Sequence, residues 1–443
     1  MNNDPISRGP RRVFLRASAT AAVAVTAGRV FAADPLGTSF ESKVPATGPI
    51  DPRLASFDQM LASFVTLFEV PGASLAVARQ GKLVYTRGMG FSQLGTQDLV
   101  QPRSRFRIAS VSKPITAVAL LRLAQNGKLR LDDRLLDLLK VEPLVEKGGT
   151  LDPRWDSITI RQILQHRGGW DRDKSFDPMF RSVEIAKALD VAPPSKPEHI
   201  IRFMRGKPLD FGPGERSAYS NFGYCLLGRV IEKITGVSYE EAIGELILTP
   251  LGIRNMQLGK TLQGDRAERE VAYHVRGNPT GSAVVGEIGK SVPLPYGAWS
   301  LEAMDAHGGW IASAVDLVRF ASGLDSQATV PSLNEEWKAQ MLARPEGARE
   351  VDANGREMAN YLGCGWMVVP VANGRLNTFH TGSLDGTAAL LVRRHDGLTW
   401  AALFNTRSAP HGAHLAQAID LYLHLAADKV REWPEHDLFA DFL

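Results

Sequence analysis

The chain has 443 residues, of which 44% are hydrophobic and 22% charged, a composition typical of globular proteins. At this length a core forms without disulfide staples. The formal charge of the whole chain is +3, but residues 1–32 hold five arginines and one aspartate, so the rest carries −1. This balance argues against a nucleic-acid partner.

The N-terminus has the pattern of an export signal. "RRVFLR" (residues 11–16) precedes a mildly apolar run, 17–27, and the small residues of "VFAADP". The paired arginines with Phe14 resemble a twin-arginine signal, and the run is shorter than the ~20 residues of a spanning helix. We predict a signal peptide at 1–32 and a linker at 33–52. The expected location is periplasmic or secreted in a bacterium, without a stable membrane anchor.

Strand patterns lie at both ends of the chain, and helical patterns fill the middle. Apolar residues at helical spacing predict a helix between residues 54 and 68, and two β-like runs around Gly81 predict a hairpin. A second hairpin is predicted to turn at Asp396 and Gly397, between a strand carrying "NTFHTG" and a helix that includes Leu415. The sequence therefore predicts an α/β (α+β) fold, with one antiparallel sheet built from both chain ends and a mainly helical lobe inserted.

The chain contains two cysteines, Cys225 and Cys364. They are far apart in sequence, and sequence alone cannot establish whether they pair. Two buried free thiols are the preferred expectation.

A serine and a lysine lie three positions apart at the start of a predicted amphipathic helix. In "FRIASVSKPITAVALLRLAQNGKL" (residues 106–129), Ser110 and Lys113 would share one face of that helix. A serine hydroxyl needs a base, and a buried lysine with a lowered pKa can serve as one. The helix N-terminus adds N–H groups where an oxyanion would develop. Ser110 and Lys113 are therefore catalytic candidates, although this spacing alone is weak evidence.

Two further motifs lie later in the chain. In "PGERSAYSNFGY", Tyr219 is expected to lose its proton more easily beside a cationic amine, and Asn221 can contact a substrate amide. Taken alone, these two residues would be assigned to a packed turn and a helix cap.

The last motif is "FHTGS", on a predicted strand. His380 and Gly382 would point to one face, and glycine there would let substrate backbone approach. The N–H of Ser383 could complete an oxyanion pair with that of Ser110. Taken alone, this motif would be a strand running into a turn.

Together the motifs Ser-x-x-Lys, Tyr-x-Asn and His-Thr-Gly, in this order, resemble the serine β-lactamase and penicillin-binding protein superfamily. The Tyr-x-Asn form is similar to the class C β-lactamase-like branch, which includes D-alanyl-D-alanine carboxypeptidases, D-aminopeptidases and carboxylesterases. The resemblance extends over "ITIRQILQHRGGW" and "HGGWIASAVDLVRF" and covers most of the chain from about residue 54 to about 423.

The resemblance implies a role for each motif residue. Ser110 would be the acylated nucleophile, Lys113 its proton acceptor, and Tyr219 the base that also protonates the leaving group. Binding of the substrate and the oxyanion would fall to Asn221, His380, Thr381, Gly382 and Ser383. The implied fold is an α/β sandwich with a helical lobe and the site between them. No cofactor or metal is implied.

The expected activity is cleavage of an ester or amide bond in a small molecule or short peptide. Many family members carry lysine where this chain has His380, and a neutral imidazole attracts a carboxylate weakly. Some carboxypeptidases and esterases of the family also have histidine there, so an esterase or D-alanyl-D-alanine carboxypeptidase/D-aminopeptidase type is expected, and a true class C-like β-lactamase is the alternative. Oligomeric state cannot be predicted.

The expected domain boundaries follow from the same resemblance. The hydrolase domain would be 53–430, followed by a C-terminal tail; its α/β lobe would be about 53–108 and 350–430, its helical lobe about 109–349, and the tail 431–443.

Two segments are candidates for a pocket wall. Residues 171–199 could form a lid, and Tyr296, Trp299 and Trp310 could line the site, although packing within loops is about equally expected.

Other classes of function fit less well. A metal hydrolase is disfavoured. His411 and His414 have the spacing of a pair on a helix, but no metal-binding motif accompanies them, and surface histidines on a helix are usually solvated. An α/β-hydrolase is disfavoured because the chain has no Gly-x-Ser-x-Gly elbow. A non-catalytic protein that binds penicillin or peptidoglycan fragments remains an alternative.

Overall fold

The computed structural model describes residues 44–145, 150–325, 332–347 and 356–442. The predicted signal peptide and the predicted linker up to residue 43 lie outside these ranges. None of the helices found within them is long and apolar enough to cross a bilayer.

The strands form one eight-stranded, one three-stranded and one two-stranded sheet among the described residues. In chain order they are β1 (Ala46–Thr47), β2 (Gly72–Arg79), β3 (Lys82–Gly90), β4 (Phe106–Arg107), β5 (Gln257–Leu258), β6 (Thr280–Ser282), β7 (Ser291–Pro293), β8 (Trp310–Ala312), β9 (Tyr361–Leu362), β10 (Met367–Pro370), β11 (Leu376–Leu384), β12 (Thr387–Arg393) and β13 (Leu398–Phe404).

The helices of the same ranges are mostly found between the two groups of sheet strands. In chain order they are α1 (Ala55–Leu67), α2 (Ser112–Gln125), α3 (Leu135–Leu138), α4 (Ile160–Leu164), α5 (Ser182–Ala188), α6 (Pro197–Arg205), α7 (Asn221–Thr235), α8 (Tyr239–Ile243), α9 (Asp305–Gly308), α10 (Ala314–Ser322), α11 (Glu335–Leu342) and α12 (Leu415–Asp428).

The large sheet is built from both ends of the chain. Its strand order is β1-β3-β2-β13-β12-β11-β10-β9, and every neighbouring pair is antiparallel. The pairing of β2 with β13 joins the N-terminal strands to the C-terminal ones. Both hairpins, the sheet and the fold class predicted from the sequence are confirmed.

Helices cover both faces of this sheet, because alternate side chains of a strand point to opposite faces. Leu75 and Val77 of β2 pack in one apolar core with α1 and α12. Ala76 and Ala78 of the same strand belong to the second core, which includes α2 and α10. Thus α10 packs against β2 and β13, although its sequence lies within the range predicted as the helical lobe.

The helix α2 is not amphipathic, contrary to the sequence prediction. All of its residues are buried except Arg122 and Gln125, which are partly exposed. It packs against α7 and α9, so apolar neighbours surround it. This burial places Lys113, on its first turn, inside the protein.

The end of the chain and the two cysteines pack into the protein. Phe439, in a 3-10 helix at Leu438–Phe442, is buried, and Asp437 accepts a hydrogen bond from the backbone N–H of Leu83.

Cys225 and Cys364 are free, buried thiols, as expected.

Candidate active site

Ser110 lies in a strained turn between strand β4 and helix α2. The turn is a 3-10 helix, Ala109–Val111, and Ala109 has a left-handed φ of 46°. Such a conformation costs an L-residue about 1–3 kcal/mol, and surrounding structure must hold it in place. Ser112 helps to hold it, because its hydroxyl donates a 2.7 Å hydrogen bond to the Ala109 carbonyl. The turn leaves Ser110 partly exposed directly above the buried Lys113.

The Lys113 amine contacts three oxygen atoms. Its Nζ lies 2.7 Å from Asn221 Oδ1, 3.0 Å from the backbone oxygen of His307 and 3.3 Å from Ser110 Oγ. Asn221 begins helix α7, and His307 belongs to α9, so three elements of the helical region meet at this amine. Lys113 is completely buried.

The electrostatics of the site favour a neutral Lys113. Burial, followed by the charge of Arg172, holds the pKa of Lys113 well below its ordinary value of 10.5. A neutral amine has two N–H donors and one lone pair. The amide oxygen of Asn221 and the carbonyl of His307 can only accept, so they take both donors. The lone pair is then directed at the Ser110 hydroxyl.

Tyr219 lies beside Ser110 and Lys113. Lys113 Nζ is 4.7 Å from the centre of the Tyr219 ring, and the phenol is hydrogen-bonded to the Ser110 side chain. His166 stacks on this ring with 4.5 Å between ring centres. The ring keeps a partly exposed edge but is closely surrounded, and burial raises the pKa of Tyr219 to about 12. The expectation that a neighbouring amine would ease loss of the phenol proton is therefore wrong, because burial outweighs the charges nearby.

Strand β11 forms the opposite wall of the site. His380 and Gly382 are buried on one face of β11, and the ring centre of His380 is 6.2 Å from that of Tyr219. Burial, reinforced by Lys113, lowers the pKa of His380 to about 3, so the imidazole is neutral as expected. Its Nδ1 lies 2.7 Å from the backbone oxygen of Thr381.

Position 382 requires a glycine for a physical reason other than the predicted one. A Cβ added to Gly382 would lie 2.0 Å from the carbonyl oxygen of Ile108. The backbone that approaches Gly382 thus belongs to the protein itself, in the turn before Ser110, and the prediction that glycine makes room for substrate backbone there is wrong. This close approach sets the distance between β11 and the Ser110 turn.

Ser383, the next residue of β11, contacts His414, a histidine that the sequence analysis expected to be solvated. Its Oγ lies 2.9 Å from His414 Nε2. Both His411 and His414 precede helix α12 rather than sitting on a helix, and His411 packs near Phe68, with 5.6 Å between ring centres. His414 is only partly exposed, and burial lowers its pKa, so it is not a solvated helical histidine.

The segment 171–199, predicted as a possible lid, contributes two charged residues to the site. Asp177 Oδ2 accepts a 2.6 Å hydrogen bond from Asn221 Nδ2. An ionised carboxylate can only accept, so this bond turns the amide oxygen of Asn221 toward Lys113. Arg172 lies with its guanidinium carbon 4.8 Å from the centre of the Tyr219 ring. Neither residue, nor the His307 carbonyl, was singled out from the sequence, because none belongs to the three motifs.

The predicted aromatic wall is mostly interior packing. Trp310 is fully buried, with its indole N–H donating a 3.0 Å hydrogen bond to the Tyr239 hydroxyl. The hydroxyl oxygen of Tyr296 accepts a 2.7 Å hydrogen bond from the backbone N–H of Tyr273. Trp299 packs in a small apolar cluster that includes Ala109. All three side chains are buried, and among them Trp299 shares its apolar cluster with Ala109 of the turn before Ser110.

The structure therefore brings Ser110, Lys113, Tyr219, Asn221 and His380 into one cluster, with Thr381, Gly382 and Ser383 on the adjoining strand. The fold is that of the β-lactamase-like serine hydrolases. The model of the Beta-lactamase family matches residues 57–424, and the chain belongs to this family.

A curated protein is similar to this chain in sequence over most of its length. "Protein flp" of Staphylococcus aureus (strain N315) is 25% identical over 345 residues, which are 77% of this chain and 61% of that protein. The chain thus spans about three fifths of the length of this curated relative.

Two solved structures can be compared with the whole fold. The octameric penicillin-binding protein homologue from Pyrococcus abyssi is 25% identical, with a TM-score of 0.63 over 84% of this chain and 77% of that one. The D-amino acid amidase from Ochrobactrum anthropi SV3 is 20% identical, with a TM-score of 0.64 over 86% of this chain and 100% of that one.

Proposed function

We propose that the protein hydrolyses an ester or amide bond of a small molecule or short peptide through an acyl-enzyme on Ser110. The observation that carries this proposal is the buried Lys113 amine, 3.3 Å from Ser110 Oγ, with both N–H donors engaged by oxygen acceptors. The activity would be of the carboxylesterase or D-alanyl-D-alanine carboxypeptidase/D-aminopeptidase type. Export is part of the proposal and rests on the sequence of residues 1–32.

Acylation would begin with proton transfer from Ser110 to Lys113. The lone pair of the neutral amine takes the hydroxyl proton while Oγ attacks the carbonyl carbon of the substrate. The carbonyl oxygen becomes an oxyanion, which the N–H groups of Ser110 and Ser383 are proposed to hold. Asn221 and the His307 carbonyl stabilise the ammonium that forms on Lys113, because both present oxygen acceptors to it.

Collapse of the tetrahedral intermediate would need an acid, and Tyr219 fits that role. With a pKa raised to about 12, its phenol carries a proton at neutral pH. It can donate that proton to the departing oxygen or nitrogen and then recover one from the Lys113 ammonium. Water would release the acyl group by the reverse sequence of proton transfers.

The neutral wall residue bears on substrate class. With a pKa of about 3, His380 offers no positive charge at neutral pH. A β-lactam carboxylate would therefore be held weakly at this position, which supports a carboxylesterase over a class C-like β-lactamase.

The proposal is tested by covalent labelling and turnover with the full chain. We expect a fluorophosphonate to label Ser110 and 4-nitrophenyl butyrate to be hydrolysed, and Ser110→Ala to abolish both. Ser282→Ala, at an exposed serine of β6, is the matched control. A chromogenic cephalosporin and a D-Ala-D-Ala peptide, assayed side by side, would separate the candidate activities. Ester turnover that survives Ser110→Ala would contradict the proposal, and an unlabelled, inactive protein would be a binding protein.

A second prediction concerns Asp177 as a positioning residue. In Asp177→Asn the side chain can donate as well as accept, so the amide of Asn221 is free to turn over. We expect the acylation rate to fall by up to about a hundredfold, as small misplacements in active sites can do. The charge of Asp177 also raises the pKa of Lys113, so its removal should move the acid limb of the kcat/KM profile to lower pH.

Asp173→Asn is the control for this experiment, since Asp173 is an exposed carboxylate in the same segment. If Asp177→Asn matched Asp173→Asn in both rate and pH profile, Asp177 would have no part in positioning Asn221.

A further inference from the structure

Arg172 brings a permanent positive charge to the edge of the catalytic cluster. Its guanidinium carbon lies 4.8 Å from the centre of the Tyr219 ring. Its charge lowers the pKa values of Lys113, His166 and His307, so it is close to all of them. The Arg172 side chain is 33% exposed, and the Tyr219 ring beside it is also partly exposed. The guanidinium therefore borders the open side of the site, where a substrate must enter.

The donors of Arg172 are not used within the described part of the chain. No described residue accepts a hydrogen bond from it, and its ion-pair partner Asp177 lies 4.0 Å away, beyond hydrogen-bond distance. The oxygens of Asp177 are already engaged, since Oδ1 accepts from the Met179 N–H at 3.1 Å and Oδ2 from Asn221 Nδ2 at 2.6 Å. A guanidinium has five N–H donors in a planar fork that matches a carboxylate.

Burial lowers the pKa of each of the other basic side chains that line the cluster. Burial depresses the pKa of Lys113 well below its ordinary range and that of His380 to about 3. His166 and His307 have pKa values well below 6.5 for the same reason, burial. Burial thus disfavours a positive charge on each of these four residues, whereas Arg172 brings its permanent charge to a carboxylate that enters the site.

We propose that Arg172 binds a carboxylate of the substrate, so that the natural ester or amide carries an anionic group close to the scissile bond. This inference rests on the proposed function and names its substrate class. The long ion pair with Asp177 keeps Arg172 near Tyr219 until substrate arrives, and a bidentate contact to the substrate then replaces that pairing.

The experiment compares three aryl esters on the full chain at one pH. 4-Nitrophenyl butyrate is uncharged, mono-4-nitrophenyl glutarate carries a carboxylate on the acyl group, and 3-carboxyphenyl butyrate carries one on the leaving group. We expect Arg172→Met to lower the kcat/KM of one of the acidic esters, relative to that of the neutral ester, by about ten- to a hundredfold compared with wild type. Because each ester is compared with itself in the two proteins, the different reactivities of the leaving groups cancel. The ratio is the proper readout because loss of Arg172 also raises the pKa of Lys113, which affects all three esters alike.

Two variants make this comparison decisive. Arg172→Lys keeps the charge but not the fork and should retain part of the preference, whereas Arg181→Met, at an exposed arginine paired with Glu184, should behave as wild type. Thermal melting shows whether each variant is folded. An unchanged ratio in Arg172→Met, or an equal loss on all three esters, would overturn the inference. If Ser110→Ala remained active on these esters, the proposed function itself would fail, which is a separate outcome.

Discussion

Replacing Lys113 by Met is expected to lower the acylation rate by about a thousandfold, within the range that general-base catalysis contributes. Methionine fills the same fully buried space but has no lone pair basic enough to take the Ser110 proton. Wild-type activity should fall as the pH falls through the lowered pKa of Lys113, because the ammonium cannot accept a proton. The variant should lose this acid limb from its residual activity. Fluorophosphonate labelling rates and kcat/KM for an aryl ester, both followed against pH, measure these effects.

The stability of the same variant provides an independent check. The folded-state pKa of Lys113 is depressed, so between that pKa and about 10.5 the unfolded chain binds more protons at this side chain. The contribution of Lys113 to stability therefore becomes less favourable as the pH falls through this window. The Tm of Lys113→Met relative to wild type should consequently rise toward acid pH, even though the variant leaves Asn221 and His307 without their donor.

Lys113→Arg separates a base from a simple donor. An arginine side chain can satisfy the acceptors around it but stays protonated, so it should be as inactive as methionine if the lone pair is what matters. Substantial acylation by a folded Lys113→Arg protein would show that Lys113 acts only as a cation or hydrogen-bond donor. Another group would then have to serve as the base.

The fold could be predicted because its signals are local. Gly81 and Asp396–Gly397 lie at tight turns between runs of strand-forming residues, and the structure has hairpins at both places. Burial of α2 could not be read from its own sequence. A helix that is surrounded on all sides depends on its neighbours α7 and α9, which begin only at residues 221 and 305.

Some residues of the site could be predicted from the sequence, and others could not. Ser110, Lys113, Tyr219 and His380 could be found from the sequence because the family resemblance places them in ordered motifs. Asp177 and Arg172 could not, since their contacts with Asn221 and Tyr219 exist only after the chain has folded. The raised pKa of Tyr219 was not predicted either, because the prediction considered the neighbouring charge and not the burial of the ring.

Replacing Gly382 by Ala is expected to damage both the site and the fold. The added Cβ would lie 2.0 Å from the Ile108 carbonyl oxygen, a distance that only a backbone shift can relieve. Ile108 can yield little, since its N–H is bonded to the Trp310 carbonyl and Thr387 Oγ1 donates to the neighbouring Arg107 carbonyl at 2.7 Å. We therefore expect β11 to move away from the Ser110 turn. Such overpacking typically costs about 1–3 kcal/mol of stability.

The shift would also separate the two proposed oxyanion donors, the N–H groups of Ser110 and Ser383, because Ser383 follows Gly382 on β11. Loss of one such donor lowers kcat by about 10²–10³-fold, so a similar loss is expected here. Gly264→Ala is the matched control, as an added Cβ there meets no atom within 4 Å. The measurement is kcat for an aryl ester well below the Tm of each variant, with active sites counted by fluorophosphonate labelling. If folded Gly382→Ala kept kcat within a few-fold of wild type, the distance between β11 and the Ser110 turn would not govern catalysis.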